Sequence, residues 1–452
     1  MSKVVISNQR SEEMVGDLKI LSPEYRTYVG NQAQRMAWSL QEGDVLVLPT
    51  RPDEYYLKYV TSMLGIDHSS IDVIVPSPGR YGAGVLSRDR LLDEEFLGNL
   101  RKAVRGRDVS EVFPFHFDST VATLCNALGL ADVVPGFAFL EQGGGRLLNS
   151  KATFRALAAG TGVALPLGKV CSSAAEAEEF IWGEILSRGQ SAILKQDFHV
   201  AGFGNEVISS LPGVEPVGAL RTVVTTDRRE LTAYLRERWD WLTDSGRSPV
   251  VIERYITGSL PLCAEFRVTD AGVELTGHGA MRMSPVLNGH IWPASVAGTP
   301  VFDRLLESAR RLCVTVRATG YRGIVSVDAI LTPDREILIN EFNCRVSGST
   351  HAFHIGERII GGAYLADRVL IEQRRCTFPH ISVAVQKLVD SGLAYDHKNR
   401  TGVLIAVEDS STGGSFGEYL IVAKDAGHAQ RLERSVAGLF ASHDEALPAG
   451  AA

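Results

Sequence analysis

The 452-residue chain lacks the long apolar runs, paired cysteines and excess positive charge that define several protein classes. No window of eighteen apolar residues occurs, so we expect no contact with a membrane. The six cysteines are scattered and form no C-x-x-C pair, which favours reduced thiols over disulfides or a zinc site. Lysine and arginine number 46 against 53 aspartates and glutamates. Because nonspecific nucleic-acid binding depends on neutralising phosphates with basic residues, we expect no nucleic-acid partner.

The first residues, MSKVVISNQRSEEM, contain no apolar core of the kind found in signal peptides, so we expect a cytoplasmic protein. A chain of this length exceeds what one hydrophobic core usually holds, and several domains are therefore expected.

Residues 1–140 alternate short apolar runs with longer amphipathic stretches. Four of the runs predict buried strands, at residues 3–7, 44–48, 71–75 and 111–115. The spacings leave room for helices, which is typical of a parallel α/β domain.

The rest of the chain predicts three α+β segments, at residues 141–256, 257–375 and 376–452. A glycine-rich joint at residues 141–145 opens the first of them, and Ser150 is placed to cap the helix that follows. After Gly258 the pattern changes to antiparallel strands.

The most informative stretch is D-A-I-L-T-P-D-R-E-I-L-I-N-E-F-N-C-R, which begins at Asp328. A hairpin with a two-residue loop at 334–335 would pair Asp328 with Glu341. Asn343 would lie on the same face because side chains alternate along a strand. Opposed carboxylates repel each other, so this arrangement favours a cation between them, and oxygen ligands suit magnesium. The alternative is an exposed hairpin whose carboxylates form salt bridges to Arg335 or Arg345.

Several basic residues favour a nucleotide phosphate close to this hairpin. Lys195 ends a predicted strand just before the loop Gly202-Phe203-Gly204, where backbone N–H groups can approach an anion. Lys151 opens a helix, where a cation opposes the helix dipole unless an anion is also present. Three arginines lie on predicted strands around the hairpin and are suited to carboxylate or phosphate: Arg267, Arg282 and Arg345.

In these motifs and their order, the chain resembles the ATP-grasp carboxylate–amine ligases from about Ser150 to Gly348. The matching motifs are Lys151 with R-x-L-A-x-x-x-G-V-x-x-P, the strand lysine, the glycine loop, the hinge V-I-E-R-Y-I-x-G and the D…E-x-N-x-R hairpin. The resemblance implies a Rossmann-like pre-ATP-grasp domain, an ATP-grasp fold whose two α+β subdomains clamp ATP, and a small C-terminal α+β extension.

The resemblance also implies roles for individual residues. The ATP phosphates would contact Lys151, Lys195, Gly202 and Gly204. The adenine would meet Glu253 and Ile256 at the hinge. Magnesium, as one ion or two and replaceable by Mn²⁺, would bind Asp328, Glu341 and Asn343. The transferred phosphoryl or acyl group would face Arg345 and Arg282.

One position departs from the family pattern. Many members have a ribose-binding glutamate seven residues after the hinge glutamate, and this chain has Leu260 there. Glu265 could replace it if residues 259–264 formed a bulge.

Within the family, the pattern E-F-N-C-R-V-S-G-S-T and the tail resemble peptide ligases of pheganomycin-type antibiotic biosynthesis. The implied reaction phosphorylates a carboxylate with ATP and joins the acyl phosphate to an amine. The implied substrates are a small amino or guanidino acid and a peptide N-terminus, and a homodimer is compatible with the family.

Other functions are open to the same residues. A kinase-like phosphotransferase or a non-catalytic ATP-binding protein would keep the nucleotide site. The G-x-S-x-G match at residues 413–417 precedes a strand-like run, which favours a turn over a hydrolase nucleophile. His351 and His354 could be metal ligands, but no set of carboxylates or cysteines in the sequence completes a site.

Overall fold

The computed structural model describes residues 1–409 and 416–440. Within these residues, no helix combines the length and the apolar character needed to cross a membrane. The chain folds into three β-sheets of four, five and eight strands, with helices packed on them. The helices are α1 Glu12–Val15, α2 Pro23–Gln32, α3 Glu54–Leu64, α4 Arg88–Leu91, α5 Glu94–Val104, α6 Ser119–Leu128, α7 Phe137–Glu141, α8 Gly144–Leu147, α9 Lys151–Gly160, α10 Ala174–Phe180, α11 Arg228–Leu242, α12 Pro300–Ala318, α13 Thr350–Ile355, α14 Tyr364–Asp367, α15 Ile381–Asp390 and α16 Ala426–Phe440.

The N-terminal sheet is parallel and has the strand order β3-β2-β1-β4. Its strands are β1 Ser2–Ile6, β2 Val45–Val47, β3 Asp72–Ile74 and β4 Val109–Pro114. The central strands β1 and β2 are buried throughout, which explains their continuous apolar sequences. The predicted parallel α/β domain and its four strands are confirmed.

The second sheet has five strands in the order β5-β9-β6-β7-β8 and packs against α10 and α11. Its strands are β5 Gly168–Cys171, β6 Ser191–Gln196, β7 Asn205–Ser209, β8 Thr222–Val224 and β9 Val250–Tyr255. Helix α9 precedes β5 in the sequence. Ser150 caps its N-terminus, because the Ser150 side chain accepts a hydrogen bond from the Thr153 N–H.

The third sheet has eight strands in the order β14-β13-β10-β11-β12-β15-β17-β16. They are β10 Leu260–Val268, β11 Val273–Met283, β12 Leu287–Trp292, β13 Gly323–Leu331, β14 Ile337–Asn343, β15 Val369–Cys376, β16 Gly402–Val407 and β17 Gly417–Ala423. The C-terminal strands therefore extend the sheet that carries the hairpin β13–β14. The predicted boundary at 375/376 falls inside β15, and the four-segment division stays a prediction.

The β13–β14 hairpin reaches the expected pairing by a different route. Asp328 pairs with Glu341, but the loop has three residues, 333–335, and Arg335 has a φ of 64°. A bulge in β14 at Asn340 shifts the register back by one residue. The two-residue loop that we predicted is wrong, and the bulge compensates for it.

A buried ion pair fixes the N-terminal residues to the C-terminal strands. Arg35, in the 3₁₀-helix Ala33–Ser39, donates two hydrogen bonds to Glu418 of β17, at 2.7 Å and 2.5 Å. Their side chains are 5% and 0% exposed. Trp38 Nε1 and Tyr56 Oη both donate to the Ala406 carbonyl oxygen, so the N-terminal residues also hydrogen-bond to the backbone of β16.

We expect Arg35→Met to destabilise the fold by about 3–5 kcal/mol, because it leaves the Glu418 carboxylate buried without its partner. The double variant Arg35→Met/Glu418→Leu removes both charges and should recover most of the loss. Urea unfolding measures these changes. The matched control is Arg188→Met, which breaks an exposed pair with Glu184 and should cost about 0.5 kcal/mol or less. Equal stability of the Arg35 and Arg188 single variants would contradict this account.

Candidate active site

A cavity of about 320 Å³ lies where the five-stranded sheet, the eight-stranded sheet and the end of the N-terminal sheet meet. Its lining includes apolar residues, which are Ile193, Val217, Ile256, Met281, Met283, Leu287 and Ile330. It also includes the polar hairpin residues Asp328, Glu341, Asn343 and Arg345. The cavity thus offers both apolar and charged contacts to a ligand.

The hairpin brings two carboxylates and an amide together as expected. Asp328 and Glu341 are paired across the strands, and Asn343 Nδ2 donates to Asp328 Oδ2 at 3.2 Å. Burial and, after it, the negative charge of Glu341 raise the pKa of Asp328 to about 7. The site therefore holds a carboxyl group that resists ionisation until a cation is present. Oxygen donors under mutual repulsion fit a divalent cation such as Mg²⁺.

Arg345 is fixed beside these acids. Its Nη2 donates to Asn343 Oδ1 at 2.5 Å, and its Nε donates to Asn149 Oδ1 at 3.2 Å. Burial lowers the pKa of Arg345 to about 10, which still leaves it charged at neutral pH. Arg345 therefore places a buried positive charge in the lining of the cavity.

Lys195 and Lys151 approach the hairpin from two other elements. Lys195 Nζ, at the end of β6, lies 2.5 Å from Glu253 Oε2 and donates to the Asn340 carbonyl oxygen at 3.3 Å. Lys151 Nζ donates to the His199 carbonyl oxygen at 2.8 Å and lies 3.7 Å from Glu341 Oε1. Burial lowers the pKa of Lys151, while the charge of Glu341 opposes this. Lys195 lines the cavity, whereas Lys151 contacts the hairpin.

The glycine loop requires glycine at two positions. Gly202 has a φ of 86°, and a Cβ there would lie 2.8 Å from the Gly218 carbonyl oxygen. A Cβ on Gly204 would lie 2.5 Å from the His199 Cβ. Gly202 lines the cavity, and Gly204 supports the loop by accepting a hydrogen bond from the Gln196 N–H.

The hinge residues Glu253 to Ile256 line the cavity at the end of β9. The Glu253 side chain is 2% exposed and is occupied by ion pairs with Lys195 and Arg155. Glu253 is also paired with strands on both sides, so the backbone N–H of Ile256, just beyond the end of β9, is the hinge group placed to meet a nucleobase.

Arg282 and Arg267, which the sequence analysis proposed near the reacting group, do not line the cavity. Met281 and Met283 line it, so Arg282 between them points to the other face of β11 and pairs with Glu433 of α16 at 2.6 Å. Arg267 is exposed on β10. The proposed contacts of Arg282 and Arg267 with the reacting group are therefore not supported by their positions.

Glu265 is buried away from the cavity as well. Its Oε2 accepts hydrogen bonds from Ser347 Oγ at 2.7 Å and Thr350 Oγ1 at 2.6 Å. β10 pairs with β13 without a break from Leu260 to Val268, so the bulge that would have turned Glu265 toward a ribose is absent. Burial raises the pKa of Glu265 to about 7.

The histidines at 351 and 354 occupy structural positions. His351 Nε2 lies 3.4 Å from Glu372 Oε1, and Glu418 is close enough to complete a metal-sized group. However, Arg374 and Arg35 already neutralise these two carboxylates. His354 packs against Phe113, with 6.0 Å between the ring centroids. Most of the G-x-S-x-G segment, residues 413–415, lies outside the described residues, as does His443.

Comparisons with known proteins agree with this geometry. Residues 33–130 match the Pre ATP-grasp domain, and residues 383–436 match the PGM1 C-terminal domain. The chain is 25% identical over 396 residues to the L-propargylglycine–L-glutamate ligase of Streptantibioticus cattleyicolor, covering 80% of this chain and 77% of that protein.

The fold resembles solved structures over nearly its whole length. The ADP complex of N5-carboxyaminoimidazole ribonucleotide synthetase aligns with a TM-score of 0.56 and 14% identity, covering 98% of this chain and 97% of the other. L-amino acid ligase from Bacillus licheniformis aligns with a TM-score of 0.53 and 11% identity, covering 97% and 96%. The chain thus contains a Pre ATP-grasp domain and has the fold of these ATP-grasp enzymes.

The cavity is also lined by residues that the sequence analysis did not identify. From the N-terminal sheet come Gln9, Arg10 and Phe115, and from the eight-stranded sheet come His290 and Arg374. The bulge residue Asn340 is another, since its carbonyl oxygen contacts Lys195. The only available signal was the position of Gln9 and Arg10 just after a predicted parallel strand, where ligands commonly bind.

We expect Asp328→Asn to raise the melting temperature of the metal-free protein at pH 8, because it removes the repulsion between two partly buried carboxylates. The gain should be smaller at pH 5. Because its pKa is raised to about 7, Asp328 of the folded protein is protonated at pH 5 and does not repel Glu341. The free energy of unfolding that depends on this proton is lost as the pH rises toward 7. Thermal unfolding in EDTA and in MgCl₂ measures both effects. Wild type should gain stability from Mg²⁺ and the variant should not; an equal gain in both would contradict the metal site.

Proposed function

We propose that this protein is an ATP-grasp ligase that uses ATP to convert a carboxylate to an acyl phosphate and joins it to an amine, releasing ADP and phosphate. The observation that carries the proposal is the meeting of Asp328, Glu341, Asn343 and Arg345 with Lys195 in one cavity that also has apolar lining residues. This combination supports binding of a Mg-nucleotide next to a second anionic group.

The residues would divide the work as follows. Asp328, Glu341 and Asn343 would hold Mg²⁺, which when bound neutralises the charge of phosphate oxygens. The proposal includes one or two ions, and it includes Mn²⁺ as a replacement for Mg²⁺. Lys195 has three N–H donors, and Glu253 and Asn340 accept two of them, so one is left for a phosphate oxygen. The ATP adenine would lie against the apolar lining residues, next to the backbone of Ile256.

The chemistry needs positioning and charge neutralisation more than proton transfer. A carboxylate oxygen attacks the γ-phosphorus of ATP, the bond to the bridging oxygen breaks, and ADP leaves. An amine then attacks the acyl carbon, and phosphate leaves with the electrons of its bond to that carbon. Arg345 would stabilise the negative charge that develops on the oxygens in both steps.

The substrates are proposed from the similar proteins. One of these proteins is named as a ligase of two amino acids, and another is named as an L-amino acid ligase. We propose that a small amino or guanidino acid is the acyl donor here and that an amine, in particular a peptide N-terminus, is the acceptor. A place in peptide antibiotic biosynthesis, a cytoplasmic location and a homodimer belong to the same proposal.

We expect Glu341→Gln and Lys195→Met each to lower ADP formation at least 100-fold, because the first removes a negatively charged magnesium ligand and the second removes a positive charge that faces the phosphates. Hydroxylamine can replace the unknown amine, so hydroxamate formation from a panel of amino and guanidino acids measures the ligase reaction directly. The matched control is Glu336→Gln, an exposed carboxylate in the same hairpin, which should leave the rate unchanged.

Two results would overturn the proposal. One is normal hydroxamate formation by either variant. The other is a stable phosphoester product instead of a hydroxamate, which would favour the phosphotransferase alternative.

A further inference from the structure

Arg10 reaches the active-site cavity from the N-terminal sheet. The chain leaves β1 toward β2 on one side and returns to β4 on the other side, so β1 and β4 form the topological switch point of the sheet. Gln9 and Arg10 follow β1, Phe115 follows β4, and all three line the cavity. In open parallel sheets this crevice, at the carboxyl ends of the strands, is where ligands bind.

The Arg10 guanidinium has no counter-charge of its own. The residue is 7% exposed, and its Nε donates to Tyr25 Oη at 3.1 Å. Among residues 1–409 and 416–440, neither terminal nitrogen has a hydrogen-bond partner and no carboxylate lies within ion-pair distance of the group. A buried charge in this state is costly unless an anion joins it.

The position of Arg10 is held by its surroundings. Its φ is 58°, a backbone conformation that residues other than glycine rarely adopt. Tyr25, which accepts the Nε hydrogen bond, packs on Phe203 of the glycine loop, with 5.0 Å between the ring centroids. Arg10 is therefore tied to the loop beside Gly202.

A second buried arginine, Arg345, lies close enough for the charge of Arg10 to lower its pKa. Arg345 faces Asp328 and Glu341 and hydrogen-bonds to Asn343. In the proposed reaction these groups are occupied by the phosphates and by the carboxylate that becomes activated. That leaves Arg10 to face a different anion at the N-terminal side of the same cavity.

We propose that Arg10 binds a second substrate carboxylate, one that is not phosphorylated. This inference rests on the proposed function, and it means that at least one substrate carries a free carboxylate near its reacting group, as a free amino acid does. Tyr25 is a positioning residue that orients the guanidinium. Because a peptide N-terminus has no carboxylate next to its amine, the inference requires either a free amino acid as the acceptor or, with a peptide acceptor, an acyl donor that has a second carboxylate.

The test is calorimetric binding of the standard L-amino acids and of their α-carboxamides, with and without MgADP. We expect at least one free amino acid to bind wild type, and its carboxamide to bind about 10- to 100-fold more weakly. Arg10→Gln should weaken binding of the free acid by a similar factor and remove the preference over the carboxamide. Arg10→Lys should fall between the two, because a lysine keeps the charge without the paired donors.

The controls separate this inference from the proposed function and from misfolding. Arg105→Gln changes an exposed arginine of the same domain and should bind like wild type. Tyr25→Phe should weaken amino-acid binding by a smaller factor and leave MgADP binding unchanged. Absence of MgADP binding to wild type would sink the proposed function while the amino-acid titrations still test Arg10.

Hydroxylamine then locates the carboxylate. If it is on the acyl donor, the defect of Arg10→Gln persists when hydroxylamine replaces the amine. If it is on the acceptor, the defect disappears. The inference is wrong if no free amino acid binds wild type, if Arg10→Gln binds the free acid as wild type does, or if Arg10→Gln weakens MgADP binding instead.

Discussion

The repulsion between Asp328 and Glu341 is the constraint around which the active site is built. The pairing of β13 and β14 brings two partly buried carboxylates together, where water screens their charges less than at an open surface. Burial and the neighbouring charge keep a proton on Asp328 up to a pH of about 7. Two cations from other parts of the chain, Lys151 and Lys195, contact the hairpin, and Arg345 lies at its end beside the same acids. Without a metal ion the two carboxylates repel each other, and the hairpin is therefore well suited to bind a divalent cation together with phosphates.

The remaining architecture brings these parts together. The five-stranded sheet supplies Lys195 and the hinge, the eight-stranded sheet supplies the hairpin, and the N-terminal sheet closes the far end with Arg10 and Phe115. The Arg35–Glu418 ion pair holds the N-terminal residues to the C-terminal strands, so both chain ends contribute to the shape of one cavity.

Local sequence patterns were enough to predict the strands of the N-terminal sheet and the β13–β14 hairpin. The reason is that hydrophobic alternation and turn residues act over only a few positions. The Asp328–Glu341 pairing was correct only because the bulge at Asn340 offset a loop one residue longer than expected. The sequence did not show which face of β11 carries Arg282. Met281 and Met283 line the cavity, and Arg282 forms its ion pair with Glu433, which is distant in sequence. Arg10 and Arg374 are more than 360 residues apart and share a cavity only through tertiary packing, which no local pattern contains.

The most direct measurement is calorimetric titration of ATP into wild type and Glu341→Gln, each in MgCl₂ and in EDTA. If the hairpin is the metal site of a nucleotide pocket, wild type should bind ATP at least ten-fold more tightly with Mg²⁺ than in EDTA. The variant should then show little difference between the two conditions. An equal magnesium dependence in both proteins, or no ATP binding by folded wild type, would contradict the account.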